Sequence, residues 1–488
     1  MNKRFANHAG FGQIRYSNGG SINHLKKTLQ VKNEDKTINL SLNNDILSFE
    51  MKKKKFKAAN KLISIPARNI LSVALDETKG SRVMINALIP KDKLKLKLKT
   101  YSFEPNDEET AQSWINAVNL AAYKDAKKSK HFKVFINPIG GSGKARKIFN
   151  KIVKPIFDAA NCTYDVTLTE HPNHAKEIAN KLDLKPYDAI VSASGDGIIH
   201  EIVNGLLSRP DALEIDIPIG AIPAGTGNAL SICLLGNDYG ISVPHATLNI
   251  IKGVPMKIDI CSITQGDERY FAFMSLNYGI LADGDISTDN LRWMKDFRFV
   301  LGTVQALLEN RNYDCELSMK VAEDNIERIK LKYDNAYTSS SVTDIQDKPR
   351  TLVNKYGTVN DPDPIKEWTK LNCDGYVFFA SKVPWVSRNN LAFPFALPSD
   401  GLLDLMIIKR DKLSKTKVIN ILQAFNDASH VNMKEVNYYK VEGFRLTPKN
   451  KENGYISIDG EKAPFKPFQV EVLPKMITIL SVDGKYST

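Results

Sequence analysis

The chain has 488 residues, a formal net charge of +12 and 42% hydrophobic residues. That composition fits folded globular units, about three by length. No run approaches the ~18 apolar residues of a membrane-spanning helix, and Met1–Phe5 opens without the apolar core of a secretion signal. Cys162, Cys233, Cys261, Cys315 and Cys373 are scattered without CxxC spacing. They read as buried thiols in a reducing compartment, not as a disulfide frame or zinc site. A soluble intracellular protein is expected. The charge is uneven: Met1–Lys130 carries 25 Lys+Arg against 12 Asp+Glu, while the remainder carries 42 against 43. The first part is thus a separate basic unit with an anionic partner.

Residues 1 to about 36 are polar and weakly patterned, and a flexible segment is expected there. Strand-like runs follow at Thr37–Leu42, Ile46–Met51, Lys61–Ile65, Ile70–Leu75, Val83–Ala87 and Lys93–Tyr101. The last alternates Lys and Leu from Lys93 to Lys99, as a half-buried strand does. Asp107–Leu120 then reads as a helix with an acidic first turn and a packed Trp114. Strands closed by one such helix resemble a pleckstrin-homology-like domain, spanning 37–130. Lys52–Lys55 with Lys57 form either a solvated charged hairpin or a contact with anionic lipid, at about 1 kcal/mol per lysine. Nucleic acid is not an expected partner, because no nucleic-acid module accompanies the charge.

From Phe132 the pattern becomes strand, loop and helix, repeated: Phe132–Asn137 with Gly143–Phe157, Thr163–Glu170 with His174–Leu182, Ala189–Ala193 with Ile198–Leu207, and Ile217–Ile222 with Gly227–Leu234. This alternation implies a parallel sheet covered by helices, here over 131–257. Over 258–488, strand-like stretches dominate: Ile258–Ile263, Tyr270–Leu276, Cys315–Val321, Tyr376–Ala380, Leu402–Ile408, Phe444–Thr447, Tyr455–Ile458, Gln469–Val472 and Met476–Leu480. One helix, about Asn290–Asn312, interrupts them. Residues 338–370, with Pro349, Pro362 and Pro364, read as a loop insertion with scope for regulation.

Three glycine turns follow three strands of the α/β unit. Ser194-Gly195-Asp196-Gly197 places a carboxylate between the Ala189–Ala193 strand and a helix whose apolar residues 198, 199, 202, 203, 206 and 207 share one face. Strand ends of open α/β sheets bind ligands, and helix starts favour anions. Taken alone, Asp196 reads equally well as a helix cap. Asn137-Pro138-Ile139-Gly140-Gly141-Ser142-Gly143-Lys144 is not a Walker loop, since that would need glycine at 138. Its glycines still let backbone N–H groups surround phosphates. Pro223-Ala224-Gly225-Thr226-Gly227-Asn228-Ala229 is the third turn, and neither it nor Gly195-Asp196-Gly197 has the third glycine of a dinucleotide fingerprint.

With these turns, His200-Glu201-Ile202-Val203-Asn204-Gly205-Leu206, Gly279-Ile280-Leu281-Ala282-Asp283-Gly284-Asp285, Arg292, Arg298-Phe299 and Asp459-Gly460-Glu461, the chain resembles the diacylglycerol-kinase-like lipid kinases, and within them the sphingosine (long-chain-base) kinases. The resemblance runs from about Lys133 onward, outside the 338–370 insertion. It implies an N-terminal pleckstrin-homology-like domain, a NAD-kinase/diacylglycerol-kinase-like α/β nucleotide domain and a C-terminal β-sandwich. It implies that Asp196 is the general base toward a lipid hydroxyl. Asn137, Pro138, Ile139, Gly140, Gly141, Ser142, Gly143, Thr169, Ser194, Gly195, Gly197, Ile198, Gly225, Thr226, Gly227 and Asn228 would surround ATP. Arg292 and Arg298 would neutralise phosphate, and Asp459, Gly460 and Glu461 would reach back toward the nucleotide. Mg²⁺ would travel with ATP, without an all-protein cage.

Ser194–Gly197 and Asp285 would meet the substrate, since a carboxylate at 285 suits a 2-amino-1,3-diol. Asp289 would orient Arg292. Trp293, Phe297, Phe299, Val300, Leu301, Val304, Phe393 and Phe395 are divided between an alkyl-chain pocket and core. The expected reaction is ATP-dependent phosphorylation of sphingoid bases, with ceramide kinase, diacylglycerol kinase and a catalytically silent membrane adaptor as alternatives. No clustered CxxxCxxC segment of the ceramide-kinase type is present. The expected setting is cytoplasmic and peripheral to membranes, and a homo-oligomer is allowed.

Overall fold

The computed structural model describes residues 27–488 apart from 34–35, 52–60, 77, 79–80, 93, 142, 289–296, 310, 312, 339–349, 363–367, 411–412 and 450–453. Lys52–Lys55, Lys57, Ser142, Asp289, Arg292 and Trp293 lie outside the described residues, and the side chains of Phe297–Leu301 are not described.

The first described element is already a strand. Lys27–Asn33 falls inside the segment expected to be flexible, because Leu29 and Val31 bury themselves while their neighbours stay polar. It sits at the centre of a seven-stranded antiparallel sheet, between Lys36–Asn43 and Leu96–Pro105, with Ile46–Met51, Lys61–Pro66, Arg82–Pro90 and Ile70–Asp76 outside them. The lysine–leucine alternation holds: Leu94, Leu96 and Leu98 are half-buried and Lys95, Lys97 and Lys99 exposed. The helix Glu108–Tyr123 packs Trp114 into the core, and Asp107 caps it by accepting from Thr110 N at 2.7 Å. Lys252 fastens this unit to the rest of the chain. Its buried ammonium donates to Ile70 O and to Ala122 O, and its nitrogen lies 4.2 Å from the Tyr123 ring centroid. Burial first, and then Arg68, hold that amine well below the usual lysine range.

Parallel strands follow in the spatial order Thr163–Leu168, His131–Ile136, Ala189–Ser194, Pro218–Pro223. The chain reverses its direction of build between His131–Ile136 and Ala189–Ser194, so the crevice for a ligand lies beyond their carboxyl ends. The helix Asp196–Leu207 buries all six apolar residues expected on its inner face. Gly205 lets the helix His174–Lys181 approach: a Cβ there would lie 2.4 Å from Lys176 O.

Among the described residues, the α/β strands and all the C-terminal strands form one continuous 14-stranded sheet. Phe468–Ser481 joins them. It runs parallel to Pro218–Pro223 and antiparallel to both Val254–Gln265 and Val436–Pro448. The two strands expected at Gln469–Val472 and Met476–Leu480 are thus one, bulged where Lys475 takes φ 54° and donates its N–H to Asp259. The 257/258 boundary falls inside Val254–Gln265. Conversely, Tyr270–Leu276 is two strands, Glu268–Ala272 and Ser275–Gly279, because the Asp459 carboxylate takes the N–H groups of Phe273, Met274 and Ser275. Helices at Val243–Lys252, Ile326–Thr338 and Lys415–Gln423 were not anticipated. Residues 350–362 of the insertion pack as an ordered loop: Glu471 accepts from Lys355 N and Tyr356 N, and Arg350 donates to Ile215 O and Met476 O.

A largely buried ionic cluster organises the C-terminal unit. Lys382 Nζ meets Asp259 at 3.0 Å and Asp400 at 2.9 Å, and Lys440 Nζ meets Asp400 at 3.0 Å and Asp404 at 2.7 Å. Removing one partner of such a cluster strands an uncompensated charge. Lys382→Met should therefore destabilise the fold by about 3–5 kcal/mol, read as a lowered midpoint in urea denaturation; an unchanged midpoint would show the cluster to be dispensable.

Candidate active site

The strands Ala189–Ser194 and Pro218–Pro223 end level, with Ser194 opposite Pro223. Their glycine turns therefore meet. A Cβ on Gly225 would lie 2.3 Å from Gly195 N, and one on Gly195 would lie 2.6 Å from Gly227 O. Asp196 N donates to Gly227 O at 3.3 Å, and the Asn228 side chain ties its own turn by accepting from Gly225 N at 3.2 Å. Ahead of them, Asn137 Oδ1 accepts from Ile139 N and Gly140 N at 3.1 and 2.8 Å, bending the first turn back on itself. Gly141 completes that bend at φ 61°, with Thr226 N only 3.0 Å from where its Cβ would stand.

Asp196 is a cap, though not of its own helix. Its carboxylate accepts from Ala229 N at 2.7 Å and Leu230 N at 3.1 Å, the first N–H groups of the helix Ala229–Tyr239. The residue is 6% exposed. Burial raises its pKa, the two N–H groups oppose the rise and the Asp459 charge reinforces it, which leaves Asp196 at about 6. A carboxylate of that pKa is ionised at neutral pH and yet basic enough to accept a proton.

Asp196 faces a cavity of about 590 Å³. The cavity is lined by Asn137, Gly140, Gly141, Ser194, Gly195, Gly197, Ile198, Gly225, Thr226 and Gly227, and by the apolar residues Leu281, Val304, Leu307, Phe379, Leu422 and Phe425. Asp285 lines it too, accepting from Ser457 Oγ at 2.8 Å. Gly460 and Glu461 also line it, and a Cβ on Gly197 would come within 3.1 Å of Glu461 Oε1. The sequence-selected residues Pro138, Ile139, Gly143, Thr169 and Asn228 do not line the cavity. Ile139 is 81% exposed, and Thr169 is buried at the end of the neighbouring strand, its N–H on Ile136 O.

Asp459 lines the cavity but is committed elsewhere. Besides its three backbone donors it accepts from His200 Nδ1 at 2.9 Å. Burial pushes the His200 pKa down, but the Asp459 bond and the surrounding carboxylates outweigh it, and the net shift is upward. The rest of that motif is also accounted for. Glu201 accepts from Asn173 N and Ala175 N at the start of His174–Lys181, while the Asn204 amide exchanges two hydrogen bonds with the backbone of Phe271. Asp283 is engaged by Arg311 and Tyr313 rather than by the cavity.

Of the residues divided between pocket and core, Val304 lines the cavity, whereas Phe393 and Phe395 are core, packed against Tyr438. Sequence reasoning missed Asn277, Phe379, Ser457 and Phe425. The signal for the first and third was a polar residue set into an apolar strand. Among the described residues no cluster of His, Cys, Asp and Glu could hold a metal ion, and no helix is long and apolar enough to cross a membrane.

Such a site, a buried carboxylate among glycine turns at a sheet crevice, goes with the family profiles the chain matches: a diacylglycerol kinase catalytic domain over residues 131–263, and a YegS C-terminal NAD kinase beta sandwich-like domain over residues 372–481. The chain is 34% identical to sphingoid long chain base kinase 4 of Schizosaccharomyces pombe, across 87% of this chain and 89% of that protein. It is 33% identical to sphingosine kinase 1 of Arabidopsis thaliana, across 74% of each, and 29% identical to sphingosine kinase 1 of Homo sapiens, across 71% of this chain and 90% of the human one. Among solved structures, a diacylglycerol kinase from Bacillus anthracis str. Sterne aligns over 73% of this chain and 98% of its own, at 15% identity and a TM-score of 0.45. The chain belongs to the sphingoid long-chain-base kinase (sphingosine kinase) family.

The close approach of the two turns is directly testable. Gly225→Ala should separate them and lower turnover by about 100-fold, as misplacement of reacting groups by about 1 Å can do. Near wild-type kcat in a well-folded variant would show that the turns tolerate separation.

Proposed function

We propose that this protein transfers the γ-phosphate of ATP to the primary hydroxyl of a sphingoid long-chain base. The observation that carries the reading is Asp196: a buried carboxylate, held near pKa 6, lining one cavity with both the glycine turns and a set of apolar side chains. The cleft suits a nucleotide, because at Gly141, Gly195 and Gly225 the backbone comes closer than any side chain would permit. Bound there, ATP with its Mg²⁺ supplies the phosphoryl group and part of the charge neutralisation. Asn137, Gly140, Gly141 and Gly225–Gly227 hold the phosphates, with Arg292 and Arg298 adding positive charge. Asp285, braced by Ser457, pairs with the ammonium and a hydroxyl of the head group. Leu281, Val304, Leu307, Phe379, Leu422 and Phe425 take the alkyl chain.

Asp196 removes the proton from the primary hydroxyl as its oxygen attacks the γ-phosphorus. The bond to the β,γ-bridging oxygen breaks and ADP leaves. The helix start at Ala229 and Leu230 fixes the carboxylate so that no reorganisation is needed at that moment. Labelled ATP offered with sphingosine, dihydrosphingosine, phytosphingosine, ceramide and diacylglycerol should mark the first three. Ceramide alone would move the assignment to ceramide kinase, diacylglycerol alone to diacylglycerol kinase, and failure on all five would leave a silent adaptor.

Asp196→Asn keeps one acceptor for two N–H donors, a modest stability loss of about 1–3 kcal/mol, and should lose roughly 10²–10⁴-fold in turnover. In the wild type, kcat/KM should rise with pH through about 6 and level off above it, as Asp196 ionises. A flat profile there would remove Asp196 from the role of base.

The basic N-terminal unit supports a second element of the proposal, that a pleckstrin-homology-like sheet and helix bring the enzyme to anionic membranes where its substrate dissolves. Neutralising Lys52–Lys55 should weaken binding to phosphatidylserine liposomes and spare activity on detergent-dispersed base. Equal liposome binding before and after would sink the membrane role of that lysine run.

A further inference from the structure

Within the cavity wall, Ser275–Gly279 lies between two antiparallel neighbours, and Asn277 is directly opposite Ser457 on one side and Phe379 on the other. Opposed residues of antiparallel strands share a face, with Cβ atoms about 5 Å apart. Ser457, Asn277 and Phe379 therefore make one row across three strands. At one end of the row Ser457 holds Asp285, and at the other Phe379 begins the apolar wall. Asn277 occupies the changeover, and it lines the cavity. Its Oδ1 is shielded from solvent and has no hydrogen-bond partner among the described residues. A shielded carbonyl oxygen without a donor is unfavourable. Turning the amide about its last bond brings that oxygen to the cavity and presents an acceptor there. Both properties suit a group that is completed by a ligand.

We propose that Asn277 is a specificity-determining residue that hydrogen-bonds a hydroxyl at the junction of polar head and alkyl chain, the 4-hydroxyl of a trihydroxy long-chain base. The inference rests on the lipid-kinase reading of the site. One strand spacing, about 4.8 Å, separates Ser457 from Asn277. A head group seated on Asp285 thus lays its next chain carbons against the amide, before the chain reaches Phe379. A base without that hydroxyl leaves the Asn277 oxygen unpaired and loses affinity on that account.

The test compares phytosphingosine with dihydrosphingosine, which differ at carbon 4 by one hydroxyl. Wild-type kcat/KM should favour phytosphingosine. Asn277→Ala and Asn277→Leu should each lower the ratio by about 3- to 10-fold, the fall coming from the 4-hydroxylated base. Equilibrium dialysis of the two bases without ATP should give the same shift in the ratio of Kd values, which a purely structural role would not produce. Ratios within twofold of wild type in both variants, at matched Tm, would overturn the proposal. A wild-type enzyme inactive on both bases would instead overturn the kinase reading on which it rests.

Discussion

Two parallel strands that end level bring two glycine turns into contact, and the site depends on that contact. With Gly195 N where a Cβ of residue 225 would be, neither turn can carry a side chain at that point. The same approach puts the start of the helix Ala229–Tyr239 against the Asp196 carboxylate. A helix start stabilises the ionised form, and burial works against it. The balance near pH 6 follows from backbone geometry as much as from the residue itself.

A second constraint holds the two halves of the site together. Asp459 comes from the β-rich unit but binds His200 of the α/β unit and three N–H groups of the segment between them. Those bonds end one strand at Ala272 and begin another at Ser275, which directs Ser275 and Asn277 to the cavity. Glu201 and Asn204, neighbours of His200, do comparable work for adjoining elements. The motif from His200 to Gly205 is thus an assembly of local fastenings around Asp196, each with its own geometric reason.

What was legible in the sequence was whatever is local. The three glycine turns, the inner face of Asp196–Leu207 and the lysine–leucine alternation all follow from periodicity within a few residues. What was hidden depends on partners far along the chain. Nothing near Leu473–Met476 signals that a bulge there joins two strands into one, since the cause is the Asp259 carboxylate. The break after Ala272 has its cause at Asp459, and the burial of Lys252 has its cause in the carbonyl groups of Ile70 and Ala122. Phe393 and Phe395 stayed undivided between pocket and core because an aromatic side chain reads the same in both. The placement of Asn277 beside Ser457 is a matter of register between strands 180 positions apart, which no local pattern encodes.

The strand Phe468–Ser481 lies between Pro218–Pro223 and Val436–Pro448, at the seam of the large sheet. During synthesis it leaves the ribosome after the other described strands. Until it arrives, Pro218–Pro223 presents an open edge at Pro218 and Ile219, the residues that pair with Thr478 and Ile479. A chain arrested before residue 468 carries Asp196 and all three glycine turns, yet its α/β strands and its β-rich strands are not joined in one sheet: that seam closes between residues more than 250 positions apart.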